Sequence, residues 1–399
     1  MTRWYTSLVA MPMIFASLVG CTDGIFALGG ESTIEADEAI MDCSVVWQQE
    51  LLITDEGVVR DARAFNNGPW SFGGVMRAVA GQTNEQEFVK RFVESWMTDQ
   101  LVDGAMVEAR PKMVDLVLKP WKAKSPPGTY DLSKAPFQLL AIVYRPDLRK
   151  QPSADDGAGE GRFVWGLTNS IGRPQLFVII AEFALPIDGG RSALDWAHDW
   201  HSLGKLELGS PEYNQKLEEI TNQFAGSTVR AGATPGSALE QIRSNEIALD
   251  SRGDRAGVWQ LREFRIGSDG YLHPVRPALT PSNGMNGSST LTRYVQQNAK
   301  QIEAGTHELP VNFRGAQFSA GAADVPTRTF TWSVPNVSTE LQRKFSMQTC
   351  NGCHAGDTET RFLHVAPNFQ GGTARLSDFV MKIDMPERVA DFKALLGCR

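Results

Sequence analysis

Cysteine and histidine are scarce in this chain, with five and six copies respectively in 399 residues. That excludes a disulfide-dense secreted scaffold, which spends several cysteines on each small core. Positive charge is also short. Lys and Arg number 39 against 46 Asp and Glu, a net charge of −7. A phosphate backbone asks for a basic face, so no nucleic-acid partner is expected. Charge of either sign is nearly missing from the start, where Arg3 is the sole charged side chain before Asp23. The signatures G-x-S-x-G, H-E-x-x-H and the P-loop do not occur. The wording therefore points to no serine hydrolase, zincin or P-loop enzyme. Gly159-Glu160-Gly161 lacks the third glycine and the strand-turn-helix frame of a dinucleotide site. The remaining composition, 42% hydrophobic and 21% charged, is that of a globular protein. The length calls for two or three folding units.

The scarce residues meet near the C-terminus, in Cys350-Asn351-Gly352-Cys353-His354. C-x-x-C-H is the spacing by which a c-type haem is attached. Two thiols separated by two residues on one turn reach the two vinyl groups of a haem, and the following His354 faces the iron. The expected cofactor is therefore haem c, held by Cys350, Cys353 and His354. A second axial ligand would come from Met381, Met385 or His364, each of which also has an ordinary core or loop role. A thioether would raise the potential and a second imidazole would lower it. Phe345, Phe362, Phe369 and Phe379 would line the pocket, as they would line any core. The rival for the motif is a structural Cys350–Cys353 disulfide. A metal site completed by Cys398 or His364 is a further alternative, but zinc asks for four donors. Only 45 residues follow His354, so the larger body would cover part of the haem.

The N-terminus reads as an export signal. Trp4 to Gly20 is apolar, interrupted by Pro12, and short for a spanning helix. Leu18-Val19-Gly20-Cys21 resembles a bacterial lipobox, which implies cleavage before Cys21, acylation there and attachment to a membrane surface. Thr22 in place of Asp points to the outer membrane. With Cys21 lipidated and Cys350 and Cys353 on haem, Cys43 and Cys398 remain as a possible disulfide tying the ends of the mature chain. Two separately buried thiols are the alternative.

The organisation expected is a signal peptide over 1–20, a lipidated Cys21 and tether over 21–48, a domain of unknown function over 49–335, and a cytochrome c-like segment over 336–399. The fold class is α+β, a mixed sheet-and-helix domain followed by a small, mostly helical C-x-x-C-H segment. Apolar runs at 138–144, 163–167 and 176–185 read as strands, the last central with both faces covered. Stripes at 87–97 and 213–224 read as helices, as do 192–203, 291–303 and 388–396. Residues 238–243 read as a short helix, and 376–381 as another that Pro386 separates from the one at 388–396. Residues 258–266 and 271–275 form a hairpin around Ser268-Asp269-Gly270, and the charged, aromatic wording of Trp259 to Phe264 suggests a sheet edge. Asn245-Glu246 is distinctive but carries no evident chemistry. His198 and His201 share a helix face and read as structural, while His273 and His307 read as surface residues.

Several phrases resemble a group of uncharacterised predicted bacterial lipoproteins. They are Gly68-Pro69-Trp70-Ser71-Phe72-Gly73, Ala135-Pro136-Phe137 with Arg145-Pro146-Asp147-Leu148-Arg149, Gly159 to Gly166, Asn245 to Leu249, and Thr349 to Val365. The resemblance implies a shared architecture ending in the C-x-x-C-H segment and brings no activity with it. Arg343 to Thr349 leading into Cys350 also resembles the first helix of class I c-type cytochromes, although Met385-Pro386 comes earlier than the Met-Pro pair of that family. The function expected is electron transfer or redox sensing at the cell envelope by a lipid-anchored haem protein with a redox partner. The alternative is a non-catalytic envelope lipoprotein with a structural C-x-x-C disulfide. A third reading is a haem enzyme with an open iron position.

Overall fold

Alternating β-branched, aromatic and charged residues build the centre of the molecule. The computed structural model describes residues 43–150, 157–187, 191–226, 238–250 and 257–398. Its main sheet has eight strands: β1 (Leu52–Ile53), β2 (Phe137–Arg145), β3 (Glu160–Thr168), β4 (Pro174–Ala184), β5 (Leu239–Glu246), β6 (Trp259–Ile266), β7 (Leu272–Val275) and β8 (Ala323–Val325). The order is β1-β2-β3-β4-β5-β6-β8, with β7 also paired to β6, and every pairing is antiparallel. Mixed helix and antiparallel sheet makes the class α+β, as expected.

β4 is central, as its unbroken apolar run predicts. Two expectations change. Residues 239–246 form a strand, not a helix, although Leu239, Glu240 and Gln241 favour helix. Pairing with β4 on one side and β6 on the other overrides that local preference. Trp259–Ile266 is an interior strand, not an edge, because β8 and β7 close its outer side.

One face of the sheet is a dry core. Tyr144, Phe163, Trp165, Phe177, Ile179 and Phe264 are buried there. Four helices cover it: α1 (Phe72–Ala80), α2 (Glu85–Glu94), α3 (Ala193–Ser202) and α4 (Pro211–Ala225). Phe88, Val89, Phe92 and Val93 form the buried stripe of α2, and Asn84 caps it by accepting from the Glu87 amide at 3.0 Å. Ser192 and Asp195 make a reciprocal capping box on α3. Each large side chain buried this way contributes about 1.5–3 kcal/mol.

His198 is exposed and His201 buried on α3, where the His201 Nδ1 lies 2.8 Å from Glu50. His273 is exposed beside Asp269. His307 departs from expectation. It is buried against Tyr294 and Phe345, in a second cluster built on helix α5 (Ser289–Gln297).

The C-terminal segment begins with α6 (Thr339–Met347), capped by Ser338, and α7 (Cys350–Cys353). A small ribbon pairs Val365–Ala366 with Arg375–Leu376. A continuous helical run then starts at residue 378, passes through a wider π-turn at Val380–Asp384, and continues as α8 (Met385–Leu395). Pro386 lies inside this run rather than separating two helices, because it falls in the first turn after the π-turn. Residues from Cys43 onward form one compact unit. Met385, Phe392 and Leu396 join the same core as the packed sheet face, so a separate small domain at 336–399 is not seen. Cys43 is bonded to Cys398, with Cα atoms 5.7 Å apart. No helix among the described residues is long and apolar enough to cross a membrane. Cys21 and the expected signal, lipobox and most of the tether lie outside the described residues.

Candidate functional site

The other face of the sheet is the floor of a cavity of about 720 Å³. The strand pairing arranges that floor in rows that change character along the strand direction. At one end Arg145 lies opposite Glu160. In the next row Arg162 faces Glu182, which faces Gln241. The next row runs across four strands, Val164, Ile180, Arg243 and Glu263, apolar on one side and ionic on the other. At the far end lie Val178, Asn245 and Leu261. The floor thus grades from ion pairs to apolar side chains, because period-2 alternation sends these residues to the same face.

Cys350, Cys353, His354 and His364 form the roof. The local sequence holds α7 firmly. Thr349 Oγ1 caps it, accepting from the Gly352 amide at 3.0 Å. Trp332 Nε1 donates to Thr349 Oγ1 at 2.9 Å and to Asn351 Oδ1 at 3.2 Å. The Cys350 amide donates to Thr280 Oγ1 at 3.0 Å. A Cβ on Gly352 would stand 2.1 Å from the Ser346 carbonyl oxygen, so only glycine fits between the two cysteines.

His354 is oriented from behind. Its Nδ1 donates to the Phe362 carbonyl at 2.7 Å. That carbonyl also accepts from Asn245 Nδ2 at 3.3 Å. Trp259 stacks on the imidazole with centroids 5.3 Å apart, stacks on Phe362 at 5.7 Å, and donates from Nε1 to Asn245 Oδ1. Phe362 adopts φ of +69°, a conformation that costs a bulky residue free energy and places its carbonyl behind His354. An Nδ1–H held by a carbonyl leaves Nε2 with a free lone pair, available to accept a proton or a ligand bond. Burial pulls the His354 pKa down to about 4 and holds His364 well below the usual range. Both imidazoles are therefore neutral, the form that binds iron. Burial pushes the Cys353 thiol up to about 12 and raises Cys350 despite the opposing Arg243. The two cysteines are not bonded to each other.

The three expected axial donors part company. Met381 is 43% exposed and Met385 is 2% exposed within the packed core, and neither lines the cavity. His364 lines it, with Nδ1 at 2.9 Å from Ser377 Oγ and Nε2 at 3.5 Å from Cys353 Sγ. Its ring centroid is 4.4 Å from that of His354. Axial nitrogens on opposite sides of a metal stand about 4 Å apart with both rings further out, so His364 sits beside His354 rather than across from it. Of the expected pocket phenylalanines, Phe379 lines the cavity, Phe362 stacks on Trp259, Phe345 belongs to the second core and Phe369 is exposed.

The sequence assigned no chemistry to the floor residues. Arg145 is held by Asp147 at 2.9 and 2.6 Å. Glu182 meets Arg162 at 3.2 Å and Arg243 at 2.9 Å, and these cations keep it ionised against the cost of burial. The adjacent Glu246 has turned to the other side, where it pairs with Arg110 at 3.2 Å. Among the described residues no group of three or more His, Cys, Asp or Glu side chains is placed to hold a bare metal ion. No family model matches the chain, no curated protein matches it, and no solved structure matches it.

Proposed function

We propose that this protein is an exported, lipid-anchored c-type haem protein that carries electrons or senses redox state at the cell envelope. The cavity carries this reading. It joins Cys350, Cys353 and a neutral His354 to a floor that is apolar at one end and ionic at the other. A haem has the same polarity, with an apolar macrocycle and two carboxylates. When bound, it supplies one-electron chemistry at its iron.

The residues of the chain do the rest. Cys350 and Cys353 would hold the haem by adding S–H across its vinyl groups, sulfur to one carbon and hydrogen to the other, which needs no oxidant. His354 offers Nε2, fixed in direction by Phe362 and Asn245. Val178, Leu261 and Phe379 keep water from the site. The segment 336–399 acts as the haem-holding part, closed over the sheet rather than folded apart from it. Acylation at Cys21 would hold the body at the outer membrane within reach of a redox partner.

The test is the mass and absorption spectrum of the protein purified from an exporting host that attaches haem c. One covalent haem and a Soret band are expected, both lost in Cys350→Ala. A haem-free protein whose Cys350 and Cys353 are oxidised to each other would overturn the reading in favour of a structural disulfide. Cys21→Ser should release the protein from membranes, and retention there would overturn the anchor.

A further inference from the structure

We propose that Arg388 binds a carboxylate of the haem at the ionic end of the cavity. This rests on the haem reading above. The cavity holds several guanidinium groups, and their partners distinguish them. Arg145 is paired with Asp147, Arg162 with Glu160 and Glu182, and Arg243 with Glu182 and Glu263. Arg388 is not saturated in this way. Its Nη2 donates to Asp384 Oδ2 at 2.5 Å, but its Nε stands 3.7 Å from Asp147 Oδ1, beyond hydrogen-bond reach. Nε and Nη1 have no hydrogen-bond partner although the side chain is only 5% exposed.

A buried guanidinium with unpaired N–H groups is costly, and an acceptor is what relieves it. Arg388 lies in the cavity wall, one turn beyond Asp384 and two beyond Val380, which line the same wall. The helical run through the π-turn at Val380–Asp384 thus brings Val380, Asp384 and Arg388 to the cavity wall. Burial and the neighbouring Arg145 pull the Arg388 pKa down to about 9, so the site welcomes negative charge. Acids inside the cavity already answer the other arginines. The unmet demand is for a carboxylate brought by the occupant.

The source of that carboxylate is testable with the full chain purified haem-free and titrated, by tryptophan fluorescence, with protoporphyrin IX and with its dimethyl ester. A hydrogen-bonded charge is worth roughly ten- to a hundredfold in affinity. The wild type should bind the diacid at least about tenfold more tightly than the ester. That gap should close in Arg388→Gln and be partly retained in Arg388→Lys, which keeps the charge with fewer directed donors. An undiminished gap in Arg388→Gln would overturn the assignment, as would equal binding of both porphyrins by the wild type. If the exported protein carries covalent haem while the gap is missing, only the role of Arg388 fails. If it carries no haem and binds neither porphyrin, the cofactor reading fails with it. Binding of free succinate as tight as that of the porphyrin diacid would assign the site to a small dicarboxylate instead.

Discussion

The two faces of the central sheet differ more than any other two regions of this molecule. One face packs Phe163, Trp165, Phe177 and Phe264 against helices, with its polar groups confined to one end, where Glu246 pairs with Arg110 and Arg262 lies over Trp96. The other carries a ladder of arginines and acids that runs into an apolar patch beneath two cysteines and two histidines. Neighbouring residues of one strand therefore do opposite work. Ile179 and Phe177 hold the fold, while Ile180, Val178 and Glu182 shape a space. A well-packed face contributes stability. A face left open with paired charges contributes little stability and keeps room for an occupant.

α8 joins the two faces, with Phe392 against Tyr144 at 5.6 Å on one side and Arg388 on the other. The Cys43–Cys398 bond clamps its end across a separation of 355 residues. Cys398→Ser should therefore have the largest effect, lowering stability by about 2–5 kcal/mol. An unchanged urea midpoint would show that α8 needs no clamp.

The sharpest comparison substitutes two neighbours. Ile179→Ala, on the packed face, should cost about 2–5 kcal/mol because it leaves a void in a close-packed core. Ile180→Ala, half-buried at the cavity floor, should cost roughly 1 kcal/mol, because it enlarges a space that already exists. Equal losses in chemical unfolding would mean that the two faces are not energetically distinct.

A pH measurement separates buried acids from the cavity floor. Burial, opposed by Arg110, raises Glu246 to about 7 from an ordinary 4.5. A carboxyl group raised on folding contributes stability that is full below pH 4.5 and lost as pH rises through 7. Glu246→Gln lacks this linkage. Relative to the wild type it should gain up to about 3 kcal/mol between pH 5 and pH 8. A constant difference across that range would place the charge of Glu246 elsewhere.

The smallest effect concerns the ionic end of the cavity. Burial, with Glu160 and Glu182 adding to it, pushes Glu240 up to about 7, while Arg162 and Arg265 oppose. In the haem-loaded protein its ionisation adds negative charge and favours the ferric state. The midpoint potential should fall as pH rises through 7, by less than about 59 mV per unit. Glu240→Gln should flatten that slope, and an unaltered slope would remove Glu240 from the account.

Much of this was legible beforehand. Period-2 and 3.6 patterns located β2, β3, β4 and most helices, because burial of one face leaves its mark on spacing. The spacing of Cys350, Cys353 and His354 is local, so a five-residue window shows it. Residues 239–246 were misread because their neighbours, not their propensities, make them a strand. The surface reading of His307 failed because a loop position says nothing about what folds over it. Arg243 and Arg388 left no signal, and the wording around Asn245 and Trp259 gave no role, since each acts on a partner far away in the chain.

By itself, then, the sequence determined the C-x-x-C-H spacing, the α+β character and the amphipathic strands, all set by side chains within one turn or one strand of each other. Only the tertiary structure decided that Cys43 meets Cys398, that His364 sits beside His354 while Met381 and Met385 turn away, and that six strands and a π-turned helix enclose one charged and one apolar end of a single cavity. The physical reason is range. Propensity and periodicity are properties of neighbours in the chain, whereas a cavity is defined by residues that become neighbours only when the sheet is assembled.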